Sequence, residues 1–199
     1  LLRGKSNSKL KAKYFAKNAY SEFLRWKSGK DIVLISSGAY STGWDASSDT
    51  PVGLCVDNGA TVNRNIKTDM DGLVIVEKVG GVRVSDIDQN NLYLQSIGRT
   101  ISPISEKNTL IQWGQDQEAT IFQTHLLAYE KQLRISPSNS NKESANRRLL
   151  VLGYTSDGAL FHAIFHIDRK VSLYDATNDT MKSLEVRGIN VVSVLNLDT

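Results

Sequence analysis

Three groups of polar residues stand where apolar, strand-like segments of the sequence end, and their side chains could act together. The groups are Ser36, Ser37 and Gly38 after residues 32–35, Arg147 and Arg148 before residues 149–152, and Asn196 and Asp198 after residues 191–195. An arginine holds a phosphate through two charge-assisted hydrogen bonds. A carboxylate acts as general acid, general base or nucleophile at a sugar carbon, and a Ser-Gly turn lets backbone N–H groups approach an anion. Strand ends that gather polar groups can form active sites, but strands usually end in polar residues, so the pattern taken alone favours ordinary polar strand ends.

Short strands and tight turns must position these groups. Apolar segments of strand length occupy residues 32–35, 51–56, 73–76, 82–84, 121–128, 149–154, 160–167, 171–174 and 191–197. Asn58-Gly59 predicts a tight turn, since both residues tolerate positive φ. This density of strands and turns predicts an α+β fold: one domain with a mixed or antiparallel sheet core, an N-terminal helix and a few short helices, one of them at residues 175–187.

Residues 1–30 are expected to form a loose arm and a docking helix, ahead of the main body of the domain at residues 31–199. Ser8 is a suitable N-cap for a helix to about residue 27. One apolar face recurs at helical spacing, formed by Ala12, Phe15, Ala16, Ala19, Phe23 and Trp26. A docking helix with solvated lysines is favoured over a membrane-surface helix, because the apolar face is rich in small alanines.

Composition excludes several classes of protein. The 199 residues are 40% hydrophobic and 23% charged, with a net charge of +3, which is ordinary for one globular domain. No apolar run reaches the roughly 18 residues of a membrane span. A charge of +3, taken as spread along the chain, predicts no nucleic-acid partner. The single cysteine, Cys55, excludes an intrachain disulfide and a cysteine zinc cluster. His162 and His166 are interpreted as lying on the wetter face of a strand, so that neither a metal nor a cofactor is expected.

The order of the polar groups along the chain resembles the phosphodiester glycosidase family. That family shows an apolar strand into N-G-G-F-F, then P-x-G-L, an N-G turn, Q-x-x-P-L-L, R-T-A-x-G with a D-G turn, and N-L-D-G-G-G-S. The matching segments here are Ile35-Ser36-Ser37-Gly38-Ala39-Tyr40, Pro51-Val52-Gly53-Leu54, Asn58-Gly59, Gln123-Thr124-His125-Leu126-Leu127, Arg148 to Gly153 with Asp157-Gly158, and Asn196-Leu197-Asp198.

The resemblance is inexact at its arginine. Arg148 lies five residues before Gly153, whereas the family arginine lies four before. A shift of one residue turns a strand side chain to the other face. Either a bulge restores the face of Arg148, or the family position falls on Leu149.

The resemblance implies a hydrolase of glycosyl phosphodiesters, or of related phosphate-bearing glycosides, with a carbohydrate or glycosyl-phosphate substrate. Asp198 and Arg148 would be catalytic, with Asp198 as acid/base or as stabiliser of an oxocarbenium-like transition state. The substrate-binding residues would be Ser36, Ser37, Gly38, Tyr40, Asp45, Gln123, Thr124, Arg147 and Asn196. Trp44, beside Asp45, could stack on a sugar ring, but a loop simply anchored by its tryptophan is favoured for this pair.

Two other functions are compatible with the same residues. One is a non-catalytic module that binds carbohydrate or a surface polymer, suggested by Ser36-Ser37 in place of Asn-Gly. The other is an interaction domain that uses the lysine-rich N-terminal helix. The resemblance also implies an extracytoplasmic location, periplasmic, secreted or lumenal. Because the chain begins at Leu1, we expect a mature or trimmed product from which a signal segment is missing.

Overall fold

The computed structural model describes residues 13–32, 35–42, 50–89, 91–137 and 145–198. Three helices lie in these ranges, at Ala19–Trp26 (α1), Lys107–Asp116 (α2) and Leu173–Glu185 (α3), with one 3-10 turn at Gln95–Ile97. The strands are β1 Cys55–Asp57, β2 Ala60–Asn63, β3 Gly72–Val76, β4 Val82–Asp86, β5 Leu92–Leu94, β6 Arg99–Ile101, β7 Thr120–Tyr129, β8 Gln132–Leu133, β9 Ala145–Thr155, β10 Leu160–Val171 and β11 Ile189–Leu197. All the described strand pairs are antiparallel, which confirms the predicted α+β class.

The chain divides into two compact units, Leu1–Thr124 and His125–Thr199. The boundary falls inside β7, and the prediction of a single domain stays a prediction. In the first unit, the early half of β7 pairs with β1 and β3, which in turn pair with β2 and β4. Asn58 and Gly59 form the β1–β2 turn at φ 49° and 82°, as their types predict. The core of this unit combines β1 and β3 with α2 and the β5–β6 hairpin, through side chains such as Leu54, Leu73, Ile75, Leu94, Leu110 and Ile121.

The second unit is a sheet in the order β10-β9-β11, continued by the later half of β7 and by β8. One face of this sheet packs with α3 in a core that includes Leu149, Val151, Val191, Val194, Ala176 and Leu184. The β9–β11 register shifts between Val191 and Ser193. This bulge turns Val191 and Val194 to the same face although they are three residues apart.

The N-terminal helix is shorter than predicted. Of the predicted residues 8–27, those numbered 1–12 lie outside the described ranges, and helix α1 begins only at Ala19. Asn18, its N-cap residue, has a left-handed backbone with φ 47°, which interrupts the helical path before Ala19. Phe15 and Ala16 therefore precede the helix, and no residue of α1 is buried. No helix in the described part of the chain is long and apolar enough to cross a membrane.

Two strand predictions were wrong. Ile32 and Ile35 belong to no strand and are 36% and 66% exposed, so the predicted buried strand at residues 32–35 does not form at either described end. Residues 171–174 do not form a separate strand, because β10 ends at Val171 and α3 begins at Leu173. Ser172 starts that helix: its hydroxyl accepts a hydrogen bond from Asp175 N at 3.0 Å. The N-cap hydrogen bond of Ser172 therefore starts a helix where the apolar Val-Ser-Leu-Tyr pattern predicted a strand.

Cys55 is buried in β1 and is predicted to be unreactive. Burial, reinforced by the negative charge of Asp57 and opposed by Lys17, raises the pKa of this thiol from 9.0 to about 12. Because the thiolate is the nucleophile, we expect Ellman's reagent at pH 8 to modify the folded chain about 1,000-fold more slowly than the urea-unfolded chain. Lys78→Cys in a Cys55→Ala background supplies an exposed control thiol. Equal rates for Cys55 in folded and unfolded chains would contradict the prediction.

Candidate functional site

The second unit brings together the two residues predicted to be catalytic. Arg148, near the start of β9, is half-buried, and its Nη1 donates a hydrogen bond to the backbone oxygen of Asp198 at 2.8 Å. Asp198 directly follows the end of β11 at Leu197 and is half-buried. A guanidinium group and the residue that carries a carboxylate thus meet at one end of the β9–β11 pair. Phosphate oxygens suit a guanidinium, and a carboxylate can exchange a proton with water.

Arg148 lies between two strands that fix its direction. It pairs with Leu197 on β11 and with His166 on β10. Directly paired residues in antiparallel strands present their side chains on the same face, about 5 Å apart at Cβ. His166 therefore lies beside Arg148 on the same face of the sheet, and it is exposed. Its imidazole can add a hydrogen-bond donor for an anion.

The strand register of β9 shows which face of the sheet Arg148 occupies. The β9–β10 register runs without a bulge from Arg147 to Tyr154. Arg148 therefore stays on the face opposite Leu149 and Gly153. No bulge moves Arg148 onto the face that the family arginine occupies in the resemblance, and the family position falls on Leu149.

Arg147 and Asn196 lie on the other face of this sheet. Asn196 pairs with Leu149, and Arg147 is two residues from Leu149, so both share the face that packs with α3. Arg147 is only 8% exposed, and its Nε donates to the backbone oxygen of Val171 at 3.0 Å. Arg147 thereby holds the end of β10, and Asn196 is 2% exposed. Because successive side chains of a strand point to opposite faces of the sheet, Arg147 and Asn196 lie on the face away from Arg148.

Gln123 is a structural centre of the first unit. Its side chain is fully buried, and Oε1 accepts from Leu54 N at 2.7 Å and from Lys67 N at 3.0 Å. Nε2 donates to the carbonyl oxygens of Lys67 at 3.1 Å and Met70 at 2.9 Å. A glutamine amide offers two acceptor and two donor positions, so all four are used by backbone groups. Thr124, the next residue, is fully buried opposite Gly72.

The predicted Ser-Ser-Gly group lies in an irregular segment of the first unit. Ser36 and Ser37 are half-buried, and the Ser36 hydroxyl oxygen is buried with no hydrogen-bond partner among the described residues. Gly38 lies under an aromatic ring: a Cβ at this position would be 2.6 Å from Tyr14 Cε2. The Tyr14 ring stacks on Phe122 at 4.8 Å between centroids. Gly38 is thus required for the close approach of this ring.

Tyr40 lies shortly before residues 43–49, which are outside the described ranges. Its backbone oxygen accepts from Val52 N at 2.7 Å, and Thr42 N donates to Thr50 O at 3.1 Å, so two backbone bonds join residues 40–42 to residues 50–52. Asp45, predicted to bind substrate, and Trp44 fall within residues 43–49, outside the described ranges.

Two residues outside the predicted site contact or face predicted site residues in the structure. Tyr14 covers Gly38, and no sequence pattern indicated it. His166 stands across from Arg148, and the even spacing of His162 and His166 along a strand was the signal that could have indicated it. Within the described ranges, no group of three or more His, Cys, Asp or Glu side chains could hold a metal ion.

Comparison with known proteins yields a distant structural similarity. No protein-family model matches the chain, and no curated protein matches it. Among solved structures, the chain resembles the catalytic domain of zebrafish N-acetylglucosamine-1-phosphodiester alpha-N-acetylglucosaminidase, auto-inhibited by its pro-peptide, with a TM-score of 0.43 and 15% identity. The similarity covers 81% of this chain and 49% of that one, so the chain spans about half the length of that structure. At this level the similarity says nothing about activity.

Proposed function

We propose that this chain hydrolyses glycosyl phosphodiesters, with Arg148 binding the phosphate and Asp198 acting as acid/base. The observation that carries the proposal is the 2.8 Å hydrogen bond from Arg148 Nη1 to Asp198 O, which places an arginine next to the carboxylate-bearing residue at one end of the β9–β11 pair. The ordered motifs of the sequence support the reaction class, whereas the role of Arg148 rests on this hydrogen bond, because the position of the family arginine falls on Leu149. The proposal uses residues of the second unit only, and the roles suggested for Ser36, Ser37 and Tyr40 stay predictions.

The chemistry follows from the charges. Water attacks the anomeric carbon while the bond from that carbon to the phosphate oxygen breaks, and the electron pair leaves with the phosphate. Asp198 takes the proton that the attacking water loses. Arg148 neutralises the charge that gathers on the departing phosphate, and His166 lies on the same face to donate a further hydrogen bond. A phosphate monoester is a stable anion, so its departure does not require a separate acid.

Substitution of the two residues tests the proposal. Release of free sugar from a panel of sugar-1-phosphodiesters is measured for the chain, Arg148→Ala and Asp198→Asn. We expect each variant to lose about 100- to 1,000-fold in kcat/KM, as when a group that stabilises transition-state charge is removed. Arg148→Lys keeps the charge but loses the planar fork, so a smaller loss is expected.

Arg169→Ala is the matched control, because Arg169 is on β10 with a side chain that is 67% exposed. It should turn over substrate like the unmodified chain. Unchanged turnover in both Arg148→Ala and Asp198→Asn would overturn the assignment. Binding of a sugar phosphodiester by the unmodified chain with no release of sugar would support the non-catalytic module instead.

A further inference from the structure

The positive charge of this protein is concentrated at its N-terminus. Residues 1–30 contain nine Lys and Arg and one acidic residue, Glu22, and therefore carry a net +8 in a chain whose total is +3. The expectation that the charge is spread along the chain is wrong. The rest of the chain has a net charge of −5, so the long-range attraction of a large anionic surface comes from this segment.

Within the described part of this segment, aromatic rings cluster on one side of α1. Phe15 meets Phe23 and Trp26 edge to face, with centroids 6.5 and 5.7 Å apart. All three rings are half-buried, yet no residue of α1 is buried, so the rings pack on one another and not into the core. Tyr20 and Leu24 extend the apolar arc and are 73% and 39% exposed. A folded protein rarely leaves such a surface unpartnered.

Lysines surround this aromatic cluster. The Nζ atoms of Lys13, Lys27 and Lys30 lie 5.7, 5.7 and 5.0 Å from the ring centroids of Phe15, Phe23 and Trp26. All three lysines are exposed. Exposed lysines beside aromatic rings on an exposed helix are the combination of residues that anchors a helix at a membrane interface.

The cluster is attached to the first unit just before the helix. Ala16 N donates to Asp57 Oδ2 at 2.9 Å, and Asn58 Nδ2 donates to Tyr14 O at 3.2 Å. The Tyr14 ring stacks on Phe122. These contacts hold the chain at residues 14–16, so α1 is presented from a defined point of the first unit.

We propose that α1, with Phe15 and the lysines at positions 13, 17, 27 and 30, binds the surface of an anionic lipid bilayer. Phe23, Trp26, Tyr20 and Leu24 enter the interface, and the lysines face the lipid phosphates. Nucleic acid is the other anionic surface that aromatic residues and lysines bind. That mode requires ring faces that can stack on bases. Here the lysine ammonium groups lie over those faces, and the rings meet edge to face, which favours the bilayer.

Flotation of the full chain with vesicles tests the proposal. Vesicles of pure phosphatidylcholine are compared with vesicles containing 30% phosphatidylserine, an example composition chosen to give an anionic surface potential. We expect binding to the anionic vesicles only, with affinity falling as NaCl is raised, because the attraction is screened. Each lysine near a bilayer contributes about fivefold in affinity, so Lys27→Gln with Lys30→Gln should weaken binding about 30-fold.

Two further double variants test the contribution of the aromatic rings and the effect of removing lysine charge outside the segment. Phe23→Ser with Trp26→Ser removes the inserting rings and should abolish flotation, and thermal melting checks that the core still folds. Lys67→Gln with Lys78→Gln is the matched control: it removes the same charge from exposed lysines in the first unit, outside the segment, and should leave binding unchanged. Equal binding to neutral vesicles, equal loss in the control pair, or binding of a single-stranded oligonucleotide without binding of vesicles would each overturn the proposal.

Discussion

Gln123→Leu is expected to destabilise the chain by about 3–5 kcal/mol, because buried backbone groups would lose their partners. The substitution preserves volume but removes hydrogen bonds to Leu54 N, Lys67 N, Lys67 O and Met70 O. Leu54 is fully buried and Met70 is 5% exposed, so water cannot readily replace the amide there. Each orphaned buried group costs about 1–3 kcal/mol. Urea denaturation of the two chains measures the difference in the free energy of unfolding.

Gln112→Leu is the control for Gln123→Leu. Gln112 is exposed on α2 and its amide donates to Asp116, so its replacement should change stability by less than about 0.5 kcal/mol. Hydrogen exchange adds a local readout: in Gln123→Leu the backbone N–H groups of Leu54 and Lys67 should exchange faster. A loss of stability in Gln123→Leu no greater than in Gln112→Leu would show that the amide is not the structural centre described here.

Gly153→Ala is expected to destabilise the second unit by about 3 kcal/mol through overpacking against backbone. A Cβ at Gly153 would lie 2.3 Å from Asn190 O and 3.0 Å from Val191 Cα. These atoms belong to β11 beside the bulge, and a strand cannot retreat as a flexible side chain can. The added methyl group must therefore separate β9 from β11. Thermal melting, followed by circular dichroism, measures the loss.

Gly81→Ala is the matched control for Gly153→Ala. The nearest atom to its added Cβ is Glu77 Oε2 at 3.3 Å, the end of a side chain that can move. We expect its melting temperature to stay close to that of the unmodified chain. If Gly153→Ala melted at the same temperature as Gly81→Ala, the close approach of β11 to Gly153 would be contradicted. The bulge would then tolerate a side chain at this position.

The sequence predicted secondary-structure elements correctly where the turn residues and the apolar strand pattern indicated the same element. The Asn58-Gly59 turn, β3, the hairpin of β9 and β10, and β11 all form, because type-specific turns and apolar strands reinforce each other. The predictions were wrong where a single residue set a different local backbone conformation. The left-handed backbone of Asn18 delayed the start of the predicted helix to Ala19, and the Ser172 cap converted a strand-like run into the start of α3.

Candidate site residues were predictable by type, but their directions were not. Arg147 and Arg148 are adjacent and chemically identical in the sequence. The pleat of β9 sends Arg147 to a backbone carbonyl of β10 and Arg148 to the end of β11. Likewise, the family resemblance implied a ligand contact for Gln123, whereas the fold uses all four of its hydrogen-bonding positions for backbone groups.

The sequence by itself determined the α+β class, the main turns and the basic character of the first 30 residues, because these depend on residue type and local spacing. Only the tertiary structure decided that Arg148 reaches Asp198, that Arg147 and Gln123 serve the framework, and that the aromatic rings near α1 pack on one another outside the core. The physical reason is that strand register and long-range hydrogen bonds select the face and the partner of each side chain. Residue type sets only which partners are chemically possible.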